Sequence, residues 1–334
     1  MNRQIPYPAS SPNDLVFYEE EYRQFLLSVS GAGRSTRLVM DMVCLVSAKI
    51  VAGALVRHSI WISSGCDKLR RAIWNIRHMN INANNTILIT GGGSGIGRGL
   101  AEAFHKLGNT VIIAGRRKAT LDEVTTANPG MFSELVDVKD TSKLKDFASA
   151  IAAKYPRLNI LINMAGIAKA EKLNEAPDFD AIDSTIATNL TAPLHLTAAL
   201  LPLLKNQPEA TIMTVTSGLA FTPLVLTPTY CATKAAMHSW SLSLRYQLKD
   251  TAVRVLELVP PYVQTELMGE RQANDPNAMP LADFIAEVMQ ILATQPEANE
   301  ILVKKVYPLR FAGDFDAKKF ENSFEQFNVA MASH

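Results

Sequence analysis

The run Thr86-Ile87-Leu88-Ile89-Thr90 leads directly into Gly91-Gly92-Gly93-Ser94-Gly95-Ile96-Gly97, and an amphipathic stretch from Ile96 to Leu107 follows. An apolar, β-branched run, a glycine cluster and a helical period in that order predict strand, tight turn and helix. The physical use of such a turn is to hold a phosphate. Glycines let the backbone approach a pyrophosphate, and a helix N-terminus offers free N–H groups and the positive end of its dipole. A glycine string alone also suits a flexible loop. Here the flanking strand and helix patterns supply the context that the nucleotide-binding reading requires.

The rest of the chain continues in the same alternation. Residues 110–114, 131–136, 158–162, 211–216 and 253–259 read as strands, with a short last one at 301–303. Residues 142–155, 179–204 and 228–248 read as helices, the first with Leu144, Phe147, Ala148 and Ile151 on one face. Strands alternating with helices predict an α/β doubly wound parallel sheet with helices on both faces, a Rossmann fold. Ligands in such sheets bind outside the carboxyl ends of the strands. The glycine turn, Arg116, Asp137, Asn163 and Ser217 all fall at that edge.

Arg116 and Arg117 follow the second strand, where the adenosine ribose of a dinucleotide arrives. An acid there would bond the ribose 2′-hydroxyl. Two guanidinium groups suit a 2′-phosphate instead, which predicts NADP(H) in preference to NAD(H). The competing reading is two solvated arginines on a loop.

Tyr230 and Lys234 stand four residues apart on one helix face. An ammonium one turn from a phenol favours the phenolate and lowers its pKa, giving a group that exchanges protons with an alcohol or carbonyl oxygen. Ser217 ends the neighbouring strand within reach of the same oxygen. Asn189, in the adjacent helix, is placed to hold a water linking Lys234 to solvent. Alone, a Tyr–Lys pair at this spacing is ordinary; with the strand-end serine and the glycine turn it points to chemistry.

These residues together resemble the short-chain dehydrogenase/reductase family in its common single-domain form, over residues 80 to 302. The family's cofactor turn matches Thr90, Gly91, Gly95 and Gly97; its NxAG stretch matches Asn163, Ala165 and Gly166; its catalytic tetrad matches Asn189, Ser217, Tyr230 and Lys234. The resemblance implies hydride transfer between NAD(P)(H) and a carbonyl or secondary alcohol. Tyr230 is then the acid/base, Ser217 the oxygen anchor, Lys234 the ribose ligand and Asn189 the relay residue. It further implies cofactor contacts from Gly93, Ser94, Ile96, Val138, Pro260 and Val263, from Asp137 on the adenine side, and from Thr265 at the nicotinamide amide. It also implies a homodimer or homotetramer through the two long helices. One departure is Pro260-Pro261 where the family usually has Pro-Gly, a feature shared with a subgroup of bacterial short-chain oxidoreductases. Another is Met164 in place of a second Asn.

The substrate is expected over the nicotinamide, walled by Phe221, Leu224, Val225, Leu226, Leu267 and Met268, residues that equally suit core or a subunit contact. Gly269 to Pro280 is polar and reads as a lid. The predicted substrate is a small apolar carbonyl or alcohol. A dinucleotide-binding regulatory or scaffold protein without turnover is the alternative on the same fold.

A net charge of +1 gives no reason to expect a nucleic-acid partner. Cys44, Cys66 and Cys231 have neither paired nor metal-ligand spacing, which predicts a reduced, cytoplasmic protein with no metal site. Cys231 and the histidines His195 and His238 read as packed helix residues. The domain reading is an N-terminal extension at 1–79, the α/β domain at 80–305 and a C-terminal tail at 306–334. Within the extension, 15–29 reads as a short helix. The apolar run 38–62 is broken by Asp41, Lys49, Arg57 and His58, so it fails the test for a spanning helix. The basic stretch 68–78 reads as a solvated helix face, with membrane-surface attachment as the second reading.

Overall fold

A computed structural model of the chain describes residues 84–313 and 317–332. The expectations for the N-terminal extension, including its helix, its apolar run and its basic stretch, lie outside the described residues.

Strand β1 (Thr86–Thr90) is buried along its whole length, and its alternation divides the core in two. Ile87 and Ile89 point into one apolar cluster, and Leu88 points into another on the opposite face. β2 (Thr110–Gly115) repeats the division, with Val111 and Ile113 on the first side and Ile112 and Ala114 on the second. Strands buried on both faces need helices on both faces, and the chain supplies them. On the first face lie α1 (Gly95–Lys106), through Leu100 and Phe104, and α2 (Lys118–Ala127), through Leu121 and Val124. On the second lies α3 (Leu144–Lys154), through Leu144, Ala148 and Ile151.

The remaining strands are β3 (Phe132–Leu135), β4 (Ile160–Asn163), β5 (Ala210–Val215), β6 (Val253–Val259) and β7 (Glu300–Leu302). All pair in parallel, in the order β3-β2-β1-β4-β5-β6-β7. The chain winds outward from β1 to β3, then crosses back to lay β4 on the other side of β1. The carboxyl ends of β1 and β4 therefore border the crevice where the winding reverses, the position at which ligands bind in such sheets.

The doubly wound expectation holds; the differences lie at element ends, inside one long helix and in two added helices. β3 is an edge strand paired on one side only, so it is shorter than 131–136 and leaves Phe132 and Leu135 exposed. The fourth strand starts two residues late because Leu158 is already turned into the core before the ladder begins. The single long helix expected at 179–204 is α4 (Phe179–Ile186), a π-helical turn (Ala187–Thr191) and α5 (Ala192–Lys205). Helix α6 (Pro228–Gln247) is continuous. Two helices beyond those expected, α2 and α8 (Leu281–Thr294), complete the first face; α8 buries Phe284, Val288, Ile291 and Leu292. The expected lid at 269–280 contains α7 (Glu270–Ala273), pinned by the buried Gln272 amide to Val263 O at 2.8 Å and Thr265 Oγ1 at 3.1 Å. The expected tail contains α9 (Tyr307–Arg310) and α10 (Ala317–Ala332), which reach the strand-end face described next.

Candidate active site

The glycine turn is shaped by close approach. Gly91 has φ +70, a conformation that favours glycine, and a Cβ there would meet Ala165 Cα at 2.9 Å. A Cβ on Gly97 would lie 2.2 Å from Gly91 O, so only glycine lets α1 start against the turn. Thr90 clasps the two strand ends together: its hydroxyl accepts from the N–H groups of Met164 and Ala165, both at 3.1 Å. Thr90 thus builds the crevice from behind. The first turn of α1 has no acidic residue, and Ser94 at its N-cap makes no side-chain cap. Its leading N–H groups and dipole end fit an anionic phosphate. Gly93, Ser94 and Ile96 line this turn; the Ser94 hydroxyl accepts from Arg117 at 3.3 Å.

Arg116 and Arg117 stand exposed at the end of β2, with Arg117 at the N-cap of α2. Asp137 lies beyond β3, its carboxylate accepting from the Lys139 N–H at 3.0 Å, and Val138 packs on the second-face core. At the end of β4, Asn163 donates to Thr197 Oγ1 at 2.9 Å while its Oδ1 is buried without a partner. On the far side, Thr265 lies beside Gly95, 3.4 Å from where a Cβ would stand. The carbonyl of Pro260 accepts from the Gly218 N–H at 2.9 Å, and buried Val263 carries the carbonyl held by Gln272. The glycine turn, Arg116, Arg117, Asn163 and Thr265 thus stand along one strand-end edge, the edge at which ligands bind in such sheets.

Tyr230, Lys234, Ser217 and Asn189 come together at the same edge, all buried. Ser217 is the polar neighbour that acts on the Tyr230 phenol, and its own hydroxyl accepts from the Leu219 N–H at 3.1 Å. Burial dominates the phenol and pushes its pKa up to about 12; the neighbouring Ser217 hydroxyl opposes this. Burial also pushes Lys234 down to about 8. Its ammonium donates to Val215 O at 2.7 Å and stands 5.5 Å from the Tyr230 ring centroid. The expected lowering of the phenol by Lys234 is therefore not the controlling effect in this state. Withdrawal from water raises an uncharged acid and lowers a cation, and both shifts run that way.

Asn189 sits in the π-helical turn, a local widening that occurs often at functional sites. Its amide grips the backbone of Ile167, accepting from the N–H at 2.9 Å and donating to the carbonyl at 2.8 Å. It also donates to Thr233 Oγ1 at 3.3 Å. Gly166 fits in the gap beside it, a Cβ there lying 3.4 Å from Asn189 Oδ1 and 3.8 Å from Lys234 Nζ. Asn189 thus fixes the loop after β4 against α6; its contact with Lys234 is through this shared gap.

The expected substrate wall divides. Leu224 packs on Tyr230 and Cys231, while Val225, Leu226, Leu267 and Met268 are exposed. Phe221 turns away into another network. Its ring meets His238 edge-on at 4.7 Å and carries the Arg310 guanidinium 4.3 Å from its centroid. Sequence reading missed this network. Glu257, fully buried on β6, accepts from Thr216 Oγ1 at 2.7 Å and pairs with His238 Nδ1 at 2.9 Å. Glu300 pairs with Arg310 through two bonds, at 2.7 and 3.1 Å. Ligand atoms of His238, Glu257 and Glu300 lie within 4.8 Å of one another, but Arg310 and Thr216 already occupy the carboxylates. An acidic residue flanked by apolar ones in the second half of a strand, as Glu257 is in Val-Leu-Glu-Leu-Val, was the signal available. Cys231 is packed as expected: burial pushes its thiol up, and its sulfur bonds the backbone of Leu224.

The family model for short chain dehydrogenases matches residues 85–276. The oxidoreductase DltE of Bacillus subtilis, itself uncharacterized, is 42% identical over 250 residues, 74% of this chain and 97% of the relative. An uncharacterized oxidoreductase of Staphylococcus epidermidis is 28% identical over 228 residues, 66% of this chain and 96% of the relative. Among solved structures, a short chain dehydrogenase from Burkholderia cenocepacia in complex with NADP superposes with a TM-score of 0.64 at 24% identity, covering 74% of this chain and 99% of that one. The closed form of a serine dehydrogenase complexed with NADP+ superposes at 0.59 with 26% identity, covering 65% and 93%. On the strength of its sequence match and its sheet, the chain belongs to the short chain dehydrogenase family of oxidoreductases.

Proposed function

We propose that this protein is an NADP(H)-preferring oxidoreductase that interconverts a small apolar carbonyl compound and the corresponding secondary alcohol. The observation that carries the reading is the convergence of Tyr230, Ser217, Lys234 and Asn189, buried together at the strand-end crevice beside the glycine turn. A dinucleotide-binding protein without turnover has no physical reason to keep a buried phenol beside a buried serine and a buried lysine whose hydrogen bond is to a backbone carbonyl.

The nicotinamide cofactor, when bound, supplies or accepts the hydride. The protein's own residues do the rest. The backbone N–H groups at the start of α1 hold the phosphates, Arg116 and Arg117 hold the 2′-phosphate, and Lys234 is assigned to the ribose hydroxyls. Ser217 and Tyr230 grip the substrate oxygen between two hydroxyls. A phenol held near 12 is protonated at neutral pH, so Tyr230 stands ready to donate to a carbonyl oxygen as it gains charge. In the reverse direction it must first lose that proton, which a charged lysine brought nearer would favour. Support for the cofactor comes from neighbours described as NADP complexes and one described as an NAD complex. The preference for NADP(H) rests on the two arginines at the end of β2 and the absence of an acid there.

The test is a NADPH-against-NADH binding titration on the full chain, followed by a carbonyl screen with the tighter cofactor. Tighter NADPH binding and turnover that disappears in Tyr230→Phe, with binding retained, are expected. Turnover unchanged in that variant overturns the mechanism.

A further inference from the structure

We propose that Glu257 is a positioning residue for the reaction. Its buried carboxylate grips Thr216 on one side and His238 on the other, and so holds Ser217 at a fixed separation from Tyr230 and Lys234. The inference rests on the oxidoreductase reading above.

The reacting groups stand on two different elements. Tyr230 and Lys234 belong to α6, and Ser217 follows the end of β5. Their separation is set by whatever ties α6 to that strand end. His238 is one helical turn beyond Lys234 and shares its face. Its Nδ1 lies 3.0 and 2.9 Å from the two carboxylate oxygens of Glu257 on β6. An ionised carboxylate only accepts, so the contact requires the proton on Nδ1. The same carboxylate accepts from Thr216 Oγ1 at 2.7 Å, and Thr216 is the residue before Ser217. Glu257 is fully buried. One carboxylate therefore joins the helix that carries the acid/base to the strand end that carries the oxygen anchor. A buried carboxylate is costly without partners, and the bonds it accepts are charge-assisted, so it holds its neighbours more firmly than a neutral contact would.

The far side of Ser217 is tied to the same network. Phe221 meets His238 edge-on and carries the Arg310 guanidinium over its ring, and Arg310 is fixed by Glu300 on β7. Ser217 thus lies between two anchors, Thr216 before it and Phe221 four residues after it, that converge on one imidazole. Backbone bonds complete the frame. The Thr216 N–H donates to Leu258 O at 2.9 Å, and the Gly218 N–H donates to Pro260 O at 2.9 Å. These fix the strand end to β6. The Glu257 carboxylate carries that fixing across to α6, one residue from Ser217. The His238–Glu257–Glu300 cluster then has a use that needs no metal ion: it sets the geometry in which two hydroxyls on different elements meet one substrate oxygen. Misplacement of a reacting group by a fraction of an ångström is enough to slow such a reaction, so the device acts on rate rather than on cofactor binding.

The experiment is steady-state reduction of straight-chain aldehydes and of cyclohexanone with NADPH by the full chain and by Glu257→Leu, Thr216→Val and Thr216→Ser. The Thr216 variants are also made in a Ser217→Ala background. Thr216→Val keeps the shape and removes the hydroxyl that Glu257 holds. It is expected to lower kcat about tenfold while KM and the NADPH dissociation constant stay within about twofold, and Thr216→Ser is expected to restore kcat. Glu257→Leu is expected to lower kcat at least as far; if that variant does not fold, the Thr216 variants decide. In the Ser217→Ala background Thr216→Val should change the residual kcat by less than about twofold, because its effect passes through Ser217. An unchanged kcat in Thr216→Val, or the same fall in both backgrounds, overturns the inference. If the wild type reduces none of the compounds with either cofactor, the oxidoreductase reading fails by itself. The positioning is then read from amide hydrogen exchange at Leu219, whose N–H donates to Ser217 Oγ at 3.1 Å. Thr216→Val is expected to speed that exchange about tenfold and Thr216→Ser to leave it as in the wild type. Unchanged exchange in Thr216→Val overturns the positioning.

Discussion

Tyr230 and Lys234 are held in their uncharged-favouring states by the same burial, and that has consequences in both function and stability. Replacing Tyr230 with Phe removes the proton donor but keeps the packing on Leu224 and Cys231, so turnover should fall on the order of 10³-fold with cofactor affinity retained. Initial rates and a binding titration check this together. Lys234 titrates near 8 in the folded chain, against 10.5 when free. Between those values the unfolded chain binds more protons, so stability from this group rises with pH from about 8 to 10.5. Tyr230, held at about 12 against 10.0, acts oppositely, and stability is lost as pH rises from 10 through 12. Lys234→Met should therefore remove most activity yet lose the rise in stability between pH 8 and 10.5, read by urea denaturation across that range. Arg116→Ala with Arg117→Ala should weaken NADPH binding by about tenfold or more and leave NADH binding nearly unchanged, because a charge-assisted hydrogen bond is worth roughly 1.5–3 kcal/mol and only the 2′-phosphate draws on these groups.

At the scale of elements, the site is a set of strand ends brought together by helices and fixed by a few close approaches. The tightest is Gly97 against Gly91 O. In Gly97→Ala a methyl group would stand 2.2 Å from that oxygen, so α1 must shift off the turn. The expected outcome is loss of cofactor binding with destabilisation of about 1–3 kcal/mol, read by titration and thermal melting. Sequence spacing alone marks Gly91, Gly95 and Gly97 as a turn. It does not say that Gly91 must make room for Ala165, because that contact depends on β4 returning beside β1. The π-helical turn around Asn189 was equally illegible: its residues, Ala-Thr-Asn-Leu-Thr, carry an ordinary helical pattern, and the widening is set by the grip of Asn189 on Ile167, twenty-two positions away.

At the scale of the molecule, all seven strands and every residue assigned to cofactor or catalysis lie within the described span 84–313. A chain beginning at Met79 should fold and bind NADPH as tightly as the full chain, and a parallel titration of the two checks it. The C-terminal segment is different in kind. It reads as a tail in sequence because α9 is only four residues long and α10 begins beyond the last strand, but Phe327 and Met331 pack against the cluster of Leu224, Tyr230 and Cys231.

What the sequence determined by itself is local or periodic: the strand–turn–helix at Thr86 to Leu100, the alternation that makes a parallel sheet, and the Tyr230–Lys234 pairing on one helix face. These depend on chain geometry over a few residues, so they can be read without knowing what lies opposite. What only the tertiary structure decided depends on residues far apart in the chain meeting in space. It decided that burial rather than Lys234 governs the Tyr230 phenol, that Phe221 belongs to the His238–Glu257 network rather than to the substrate, and that the last helix packs on Leu224 and Cys231. Dehydration, ion pairing and packing are properties of surroundings, and the surroundings exist only once the chain has folded.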